Sequence, residues 1–234
     1  MEAHIPGVGD KIEVLGHGFV RLDAAEATDL SVVNGARVSF LQMRDEMDSK
    51  DEGLIRFLMR ERHASPFEHN LFRFHIRCPI AVAREWMRHR WSSFNEHSLR
   101  YSEAIDDFYV PATEQVRTQV GKPGAYRFEP VEVDTALEVQ DQMSKHYQEA
   151  WNLYQGLLEK GVARELARFI LPVGLFTEFY WSVNARALMN FISLRNDDAA
   201  MWEIRQYGAA VEEFLADAMP STHKAFVEFG RVAP

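Results

Sequence analysis

Cysteine is the scarcest reactive residue in the sequence: one, Cys78, in 234 residues. A single thiol excludes an intramolecular disulfide framework and fits a reducing, cytoplasmic setting. Long hydrophobic runs are missing too. None approaches the roughly 20 apolar residues that a membrane-spanning helix needs, so no membrane association is expected. The N-terminal stretch holds Glu2, Asp10 and only a short apolar segment, and no signal peptide is expected there. Basic residues are in the minority, 26 Lys and Arg against 35 Asp and Glu, for a net charge of −9. Phosphate neutralisation drives general nucleic-acid affinity, so a chain this acidic is a poor nucleic-acid binder. No repeat and no low-complexity segment interrupts the sequence. No G-x-G-x-x-G follows a strand, which leaves a Rossmann mode of dinucleotide binding without support. His63, His69, His75, His89 and His97 form no convincing ligand set, so no metal is expected.

What is present describes a globular chain. Apolar residues make up 47% and aromatic residues 12%, and the length suits one domain able to bury a full core. No domain boundary stands out. The expectation is a single domain over 1–234, with residues 1–15, which carry no clear pattern, read as loose. Phe19 to Asp23 alternates and reads as a short strand. Asp29 is read as the cap of a helix ending near Ser39. A stronger helix, capped by Ser49 or Asp51, runs to His63, and Ser65-Pro66 breaks it. From Asn70 to Arg77 the period becomes two: Phe72, Phe74 and Ile76 alternate with Arg73, His75 and Arg77. Pro79 ends that strand and opens a helix from Ile80 to Arg90. Residues 108–130 show no period and read as a long surface loop. Asp134 to Lys160 is the longest helical pattern, ended by Gly161. Arg164 to Leu171 is helical, Phe176 to Val183 is a strand or the end of a buried helix, and Ala185 to Leu194 and Ala199 to Met219 are helices. The pattern is α+β, a small antiparallel sheet flanked by long helices.

The most unusual stretch is Arg88 to Tyr101, R-H-R-W-S-S-F-N-E-H-S-L-R-Y. It holds three arginines, two histidines and three serines. Part of it complements the dipole at the end of the preceding helix. The remainder, through Asn95, Glu96, Ser98 and Arg100, is polar with little apolar content. Guanidinium groups match phosphate and carboxylate in shape, and serine hydroxyls with backbone N–H groups complete an anion site. Two readings stand: a pocket for a planar phosphorylated ligand, or a solvated basic loop paired with the chain's own carboxylates. Spacing alone does not separate them. Cys78 closes an apolar strand with proline behind it, and reads as an inert buried thiol rather than a nucleophile.

R-H-R followed by seven residues and Ser98 resembles the signature of the flavin-dependent thymidylate synthases. Two further blocks extend the resemblance. His63-Ala64-Ser65-Pro66-Phe67-Glu68-His69 is similar to the family's H-x-[ST]-P-F-E-H segment. Ala185 to Phe191, continuing to Leu194-Arg195, is similar to its second conserved block. The three lie in the family's order between about Gly16 and Phe229, which makes the signal specific.

The resemblance implies methylation of dUMP to dTMP, with 5,10-methylenetetrahydrofolate as one-carbon donor, FAD as hydride carrier and NADPH as reductant. It implies a homotetramer with sites shared between subunits. Arg195 is expected to activate the pyrimidine by stabilising the ring deprotonated at N3; otherwise it is a dipole partner at a helix end. Glu85, Arg88, Glu96, Ser98, Leu99, Arg100, Arg168 and Arg195 are expected at dUMP, with Tyr101 available to stack on the base. Ser65, Arg88, His89, Arg90, Glu96, Asn184, Arg186 and Asn190 are expected at FAD. His63 is either a neighbour of flavin or folate or a helix-terminal histidine. Two positions depart from the pattern. Glu85 stands where many relatives carry glutamine, and as a carboxylate it loses the amide's donor, though Arg84 or Arg88 as a partner would keep it useful. Ala199 replaces a histidine common near the flavin. Two rivals remain: a nucleotide-binding protein without catalysis, and folate- and flavin-dependent methylation of uracil in RNA.

Overall fold

The computed structural model describes residues 7–122 and 125–234. In chain order the elements begin with β1 (Lys11–Val14), β2 (Gly18–Glu26), α1 (Asp29–Arg37), α2 (Ser49–Arg60) and α3 (Ser65–Glu68). Then come β3 (Leu71–Pro79), α4 (Ile80–Trp86), β4 (Ser92–Glu96), β5 (Arg117–Lys122), β6 (Ala125–Pro130) and α5 (Val133–Glu159). The chain continues with α6 (Arg164–Ala167), β7 (Phe176–Asn184), α7 (Ala185–Arg195), α8 (Trp202–Ala218) and α9 (Pro220–Glu228). The class is α+β. Two compact units divide these residues: Met1–Cys78, Val82–Glu96 and Glu178–Pro234 form one, Pro79–Ala81 and His97–Thr177 the other.

The first unit is built on a five-stranded sheet in the order β1-β2-β3-β7-β4. β2 pairs antiparallel with β1 and β3, and β4 pairs antiparallel with β7. Alternation in β3 buries Phe72, Phe74 and Ile76 and leaves Arg73, His75 and Arg77 on the other face. The buried face meets an aromatic core in which Trp86, Trp181 and Phe191 pack within 5.2 Å of one another, centroid to centroid. Offset and edge contacts of this kind add to the area that such rings bury. β7 settles the ambiguous 176–183 run as a strand.

Several boundaries differ from expectation. Thr28, not Asp29, caps α1, its side chain accepting from Ser31 N. Asp29 serves α9 instead, accepting from Ser221 N at 2.7 Å and Thr222 N at 2.9 Å. Asp48 caps α2 in a reciprocal box with Asp51, one residue before Ser49 and three before Asp51, the two expected caps. Residues 11–14 of the segment expected to be loose form an edge strand; Met1 to Pro6 lie outside the described residues.

The second unit packs Tyr154, Ala167 and Leu175 together with Ile80, Leu99 and Trp151. α5 matches its expected span, and Gly161 (φ +78°) closes it in the left-handed conformation that glycine adopts without strain. Residues 117–130 are not a loop. They form a two-stranded hairpin, Arg117↔Pro130 to Lys122↔Ala125, with Pro123 and Gly124 outside the described residues. Every described β6 residue is exposed. A ribbon with no buried face carries no apolar alternation for a sequence to display.

Candidate active site

The site in the first unit starts where α4 stops. The helix ends at Trp86 rather than Arg90: the last i→i−4 bond is Met87 N to Ala83 O at 2.9 Å. After it Arg88 N reaches Glu85 O (3.4 Å) and His89 N reaches Trp86 O (3.0 Å), tightening the chain into a turn. Arg88, His89 and Arg90 therefore leave the helix, and the chain proceeds into the edge strand β4. Arg88 and Arg90 are exposed, and no hydrogen bond or ion pair within the described residues engages either guanidinium. The basic loop paired with its own carboxylates is thus not what the structure shows at these two positions.

Arg195 ends α7 and reaches back to α4. Its Nε donates to His89 Nε2 at 3.0 Å, Nη1 to Glu85 Oε2 at 3.1 Å, and Nη2 to the Glu85 carbonyl at 3.2 Å. The partner of Glu85 is thus Arg195, not Arg84 or Arg88. The guanidinium thereby gives the Glu85 carbonyl, which otherwise has only the long 3.4 Å bond from Arg88 N, a second donor at the end of α4. Three of its five N–H donors are engaged in these bonds. The His89 bond fixes a proton. Nε2 accepts, so the ring is neutral and carries its hydrogen on Nδ1. Burial, and then the charge of Arg195, hold the imidazole down to about 4 from its ordinary 6.5.

Five of the expected cofactor residues line three cavities. Asn184, Arg186 and Asn190 line a cavity of about 260 Å³ with Glu68, Trp91 and Pro234. Asn184 caps α7, its Oδ1 accepting from Ala187 N at 2.8 Å, and this leaves its Nδ2 donors. Arg186 donates to Glu68 (3.0 Å) and to the Pro234 carbonyl (2.8 Å). His89 and Asn190 share a smaller neighbouring pocket with Trp91. Ser65 lies elsewhere, in a groove of about 830 Å³ between α1 and α2 that also holds His63 and Phe40. His63 packs edge-on against Phe57 with centroids 5.5 Å apart.

The remaining nucleotide residues belong to two units. Glu96 is an exposed residue of β4 in the first. Ser98, Leu99, Arg100 and Arg168 belong to the second. There Ser98 Oγ accepts from Arg100 N at 3.3 Å, and Ser98 O accepts from the backbone of Tyr101 and Ser102. Arg100 donates to the Tyr101 hydroxyl at 2.7 Å, and Tyr101 is 76% exposed. Arg168 Nε donates to Glu165 O at 3.3 Å.

Cys78 is fully buried, and its surroundings push the thiol well above its ordinary range, chiefly by burial and then by the Glu96 charge. A thiolate nucleophile is not available there. Trp91, which sequence reasoning passed over, is 82% exposed and lines both cavities beside Asn190. Its only sequence signal is position, directly after R-H-R.

A family model described as thymidylate synthase complementing protein matches residues 22–221. A protein of Thermotoga neapolitana named flavin-dependent thymidylate synthase is 44% identical over 94% of this chain and 95% of its own length. One of Thermosipho melanesiensis with the same name is 43% identical, covering 94% of each. Among solved structures, a UMP/dUMP methylase of Streptomyces cacaoi bound with 5-bromo-dUMP superposes with a TM-score of 0.86 at 42% identity, over 98% of this chain and 100% of that one.

Proposed function

Because the chain belongs to the flavin-dependent thymidylate synthases, we propose that it converts dUMP to dTMP, with 5,10-methylenetetrahydrofolate as one-carbon donor, FAD as hydride carrier and NADPH as reductant. The observation that carries the reading is the held guanidinium of Arg195, fixed on one side by Glu85 and a neutral His89 with two N–H donors unused. A uracil edge placed against those donors finds a preorganised positive charge for the ring deprotonated at N3. A ring so activated is electron-rich at C5 and attacks a one-carbon electrophile without a protein thiolate. That agrees with the buried, protonated Cys78.

The other residues take binding roles. Arg88 and Arg90 are exposed cations suited to phosphate. Ser98 and Arg100 hold the nucleotide phosphate, helped by the Leu99 backbone, Glu96 and Arg168. A guanidinium, two amides and an indole around one cavity fit a flavin dinucleotide: Arg186 for its pyrophosphate, Asn184 and Asn190 for its polar edges, with His89 and Ser65 at other parts of the molecule. When bound, FAD supplies the hydride that completes the methyl group. We assign the enzyme to the cytoplasm, as a homotetramer of single-domain subunits.

The test is anaerobic. Purified protein is loaded with FAD, reduced with NADPH, then given dUMP and methylenetetrahydrofolate. Bleaching, reoxidation and dTMP are expected. Arg195→Ala should still be reduced by NADPH yet lose turnover on the order of a hundredfold or more; near-normal dTMP formation would refute its role. UMP is run beside dUMP, because the solved relative is a UMP/dUMP methylase. A protein that binds dUMP but consumes no NADPH would be the catalytically silent rival, and methyl transfer only to RNA would favour the other.

A further inference from the structure

Beyond Arg195 the chain turns, and that turn is pinned to α8 at two points. Asn196 closes α7, its N–H bonding Ile192 O at 2.9 Å. At Gly208 of α8 the two backbones nearly touch: a Cβ there would stand 3.0 Å from the carbonyl carbon and oxygen of Arg195 and 3.1 Å from Asn196 N. One helical turn further, Glu212 Oε2 accepts from Asn196 Nδ2 at 2.7 Å. Residues four apart share a helix face, so α8 presents a bare glycine and a carboxylate to the end of α7.

Glu212 is itself braced. His223 Nε2 lies 2.9 Å from its Oε1, and the Arg231 guanidinium donates to Oε2. Its side chain is only 12% exposed. Burial alone would raise its carboxyl, but the bonds from His223, Arg231 and Asn196 outweigh it and hold the group at about 2. It is a permanent acceptor at neutral pH. Arg231 adopts φ +58°, a left-handed conformation costly for a side-chain-bearing residue. That conformation lets its side chain meet Glu212 while its carbonyl accepts from Ser193 Oγ of α7.

We propose that Glu212, acting through Asn196, is a positioning residue for Arg195: it fixes the end of α7 so that the two unused N–H donors of Arg195 keep one direction toward the pyrimidine. The proposal rests on the reading of Arg195 as the activating group. It adds a residue outside the reacting centre, contributed by a third element, to the machinery that aims it. The competing account makes the network a packing device between α7, α8 and α9 with no bearing on the direction of Arg195.

Asn196→Ala removes one tie and leaves the His223 and Arg231 bonds. Asn196→Asp replaces the donor with a second carboxylate facing Glu212. Three quantities separate aim from stability in the FAD-loaded protein: kcat for dTMP, the affinity ratio of dUMP to N3-methyl-dUMP, and FAD content with the NADPH reduction rate. Misplacement of a catalytic group by about 1 Å costs on the order of a hundredfold. Asn196→Ala should therefore lose roughly ten- to a hundredfold in kcat, and Asn196→Asp more. Both should narrow the preference for dUMP and keep FAD content and flavin reduction within about twofold of the parent. A lower melting temperature with unchanged kcat and preference would overturn the proposal. Arg195→Ala run in parallel locates any failure. If it keeps turnover and preference, the reading of Arg195 fails and the proposal with it. If it loses both while the Asn196 variants behave as the parent, only the positioning role fails. Glu212→Gln supplies a second route, and should it not fold, the two Asn196 variants decide.

Discussion

Arg195 Nε donates to a ring nitrogen of His89, and burial, then the charge of Arg195, keeps that ring neutral. The folded protein keeps the imidazole neutral down to about pH 4, whereas the unfolded chain protonates it near 6.5. Above 6.5 both states bind the same number of protons at this group, and stability is independent of pH through it. Between 6.5 and 4 the unfolded state binds more, so stability falls as pH falls. Urea unfolding across that range should show a loss in the parent that His89→Asn lacks. Parallel curves would mean that the ring protonates in the fold. Glu212 acts lower: its contribution is complete above its ordinary value of 4.5 and is lost as pH drops through about 2, so the two groups separate on the pH axis. Three short matches to a family pattern made His89, Asn190 and Arg195 visible as functional candidates. Glu212 and Gly208 were invisible, because their meaning lies in what faces them across a helix packing, and neither belongs to a local pattern.

Elements were legible in proportion to how much of one face they bury. β3 and α5 announced themselves through period two and period 3.6. β4, with Phe94 its single apolar residue, and the exposed β5–β6 ribbon did not. The cap of α1 was misjudged by one residue for a physical reason. Thr28 and Asp29 are both good N-cap residues, and sequence cannot tell that the second turns to another helix. The consequence is testable at α9, whose own N-cap residue, Met219, offers no side-chain acceptor. Asp29→Ala leaves Ser221 N, Thr222 N and Thr222 Oγ1 without their acceptor. A loss of about 2 kcal/mol is expected, measured by urea unfolding, with faster amide exchange in α9. Asp29→Asn, which retains an acceptor oxygen, should lose less. Equal stability of Asp29→Ala and the parent would show that water replaces the carboxylate.

At the scale of the whole molecule, apolar side chains remain uncovered. Phe40, Leu41, Trp91 and Phe169 are each at least 75% exposed. Large exposed apolar groups mark surfaces that meet other molecules, and they support the proposed tetramer. Light scattering on the FAD-loaded protein should give a mass near four times 27.0 kDa; a monomer at micromolar concentration would remove that part of the proposal. Among the described residues no helix is long and apolar enough to cross a membrane.

The unit that carries Arg195 is discontinuous in sequence, its residues before 97 completed by those after 177. Asp29 must find Thr222, a separation of 193 residues, and Arg56 pairs with Glu228. A ribosome adds about 5–20 residues per second. The first two fifths of the chain therefore leave the exit tunnel and wait, for a time on the order of ten seconds, with α1 and α2 lacking α9, which later packs against both. The segment 97–177 completes its own unit during that interval. Synthesis of this protein thus imposes an order that refolding from denaturant does not. Chaperone demand should be greatest for nascent chains stalled between the two halves of the first unit.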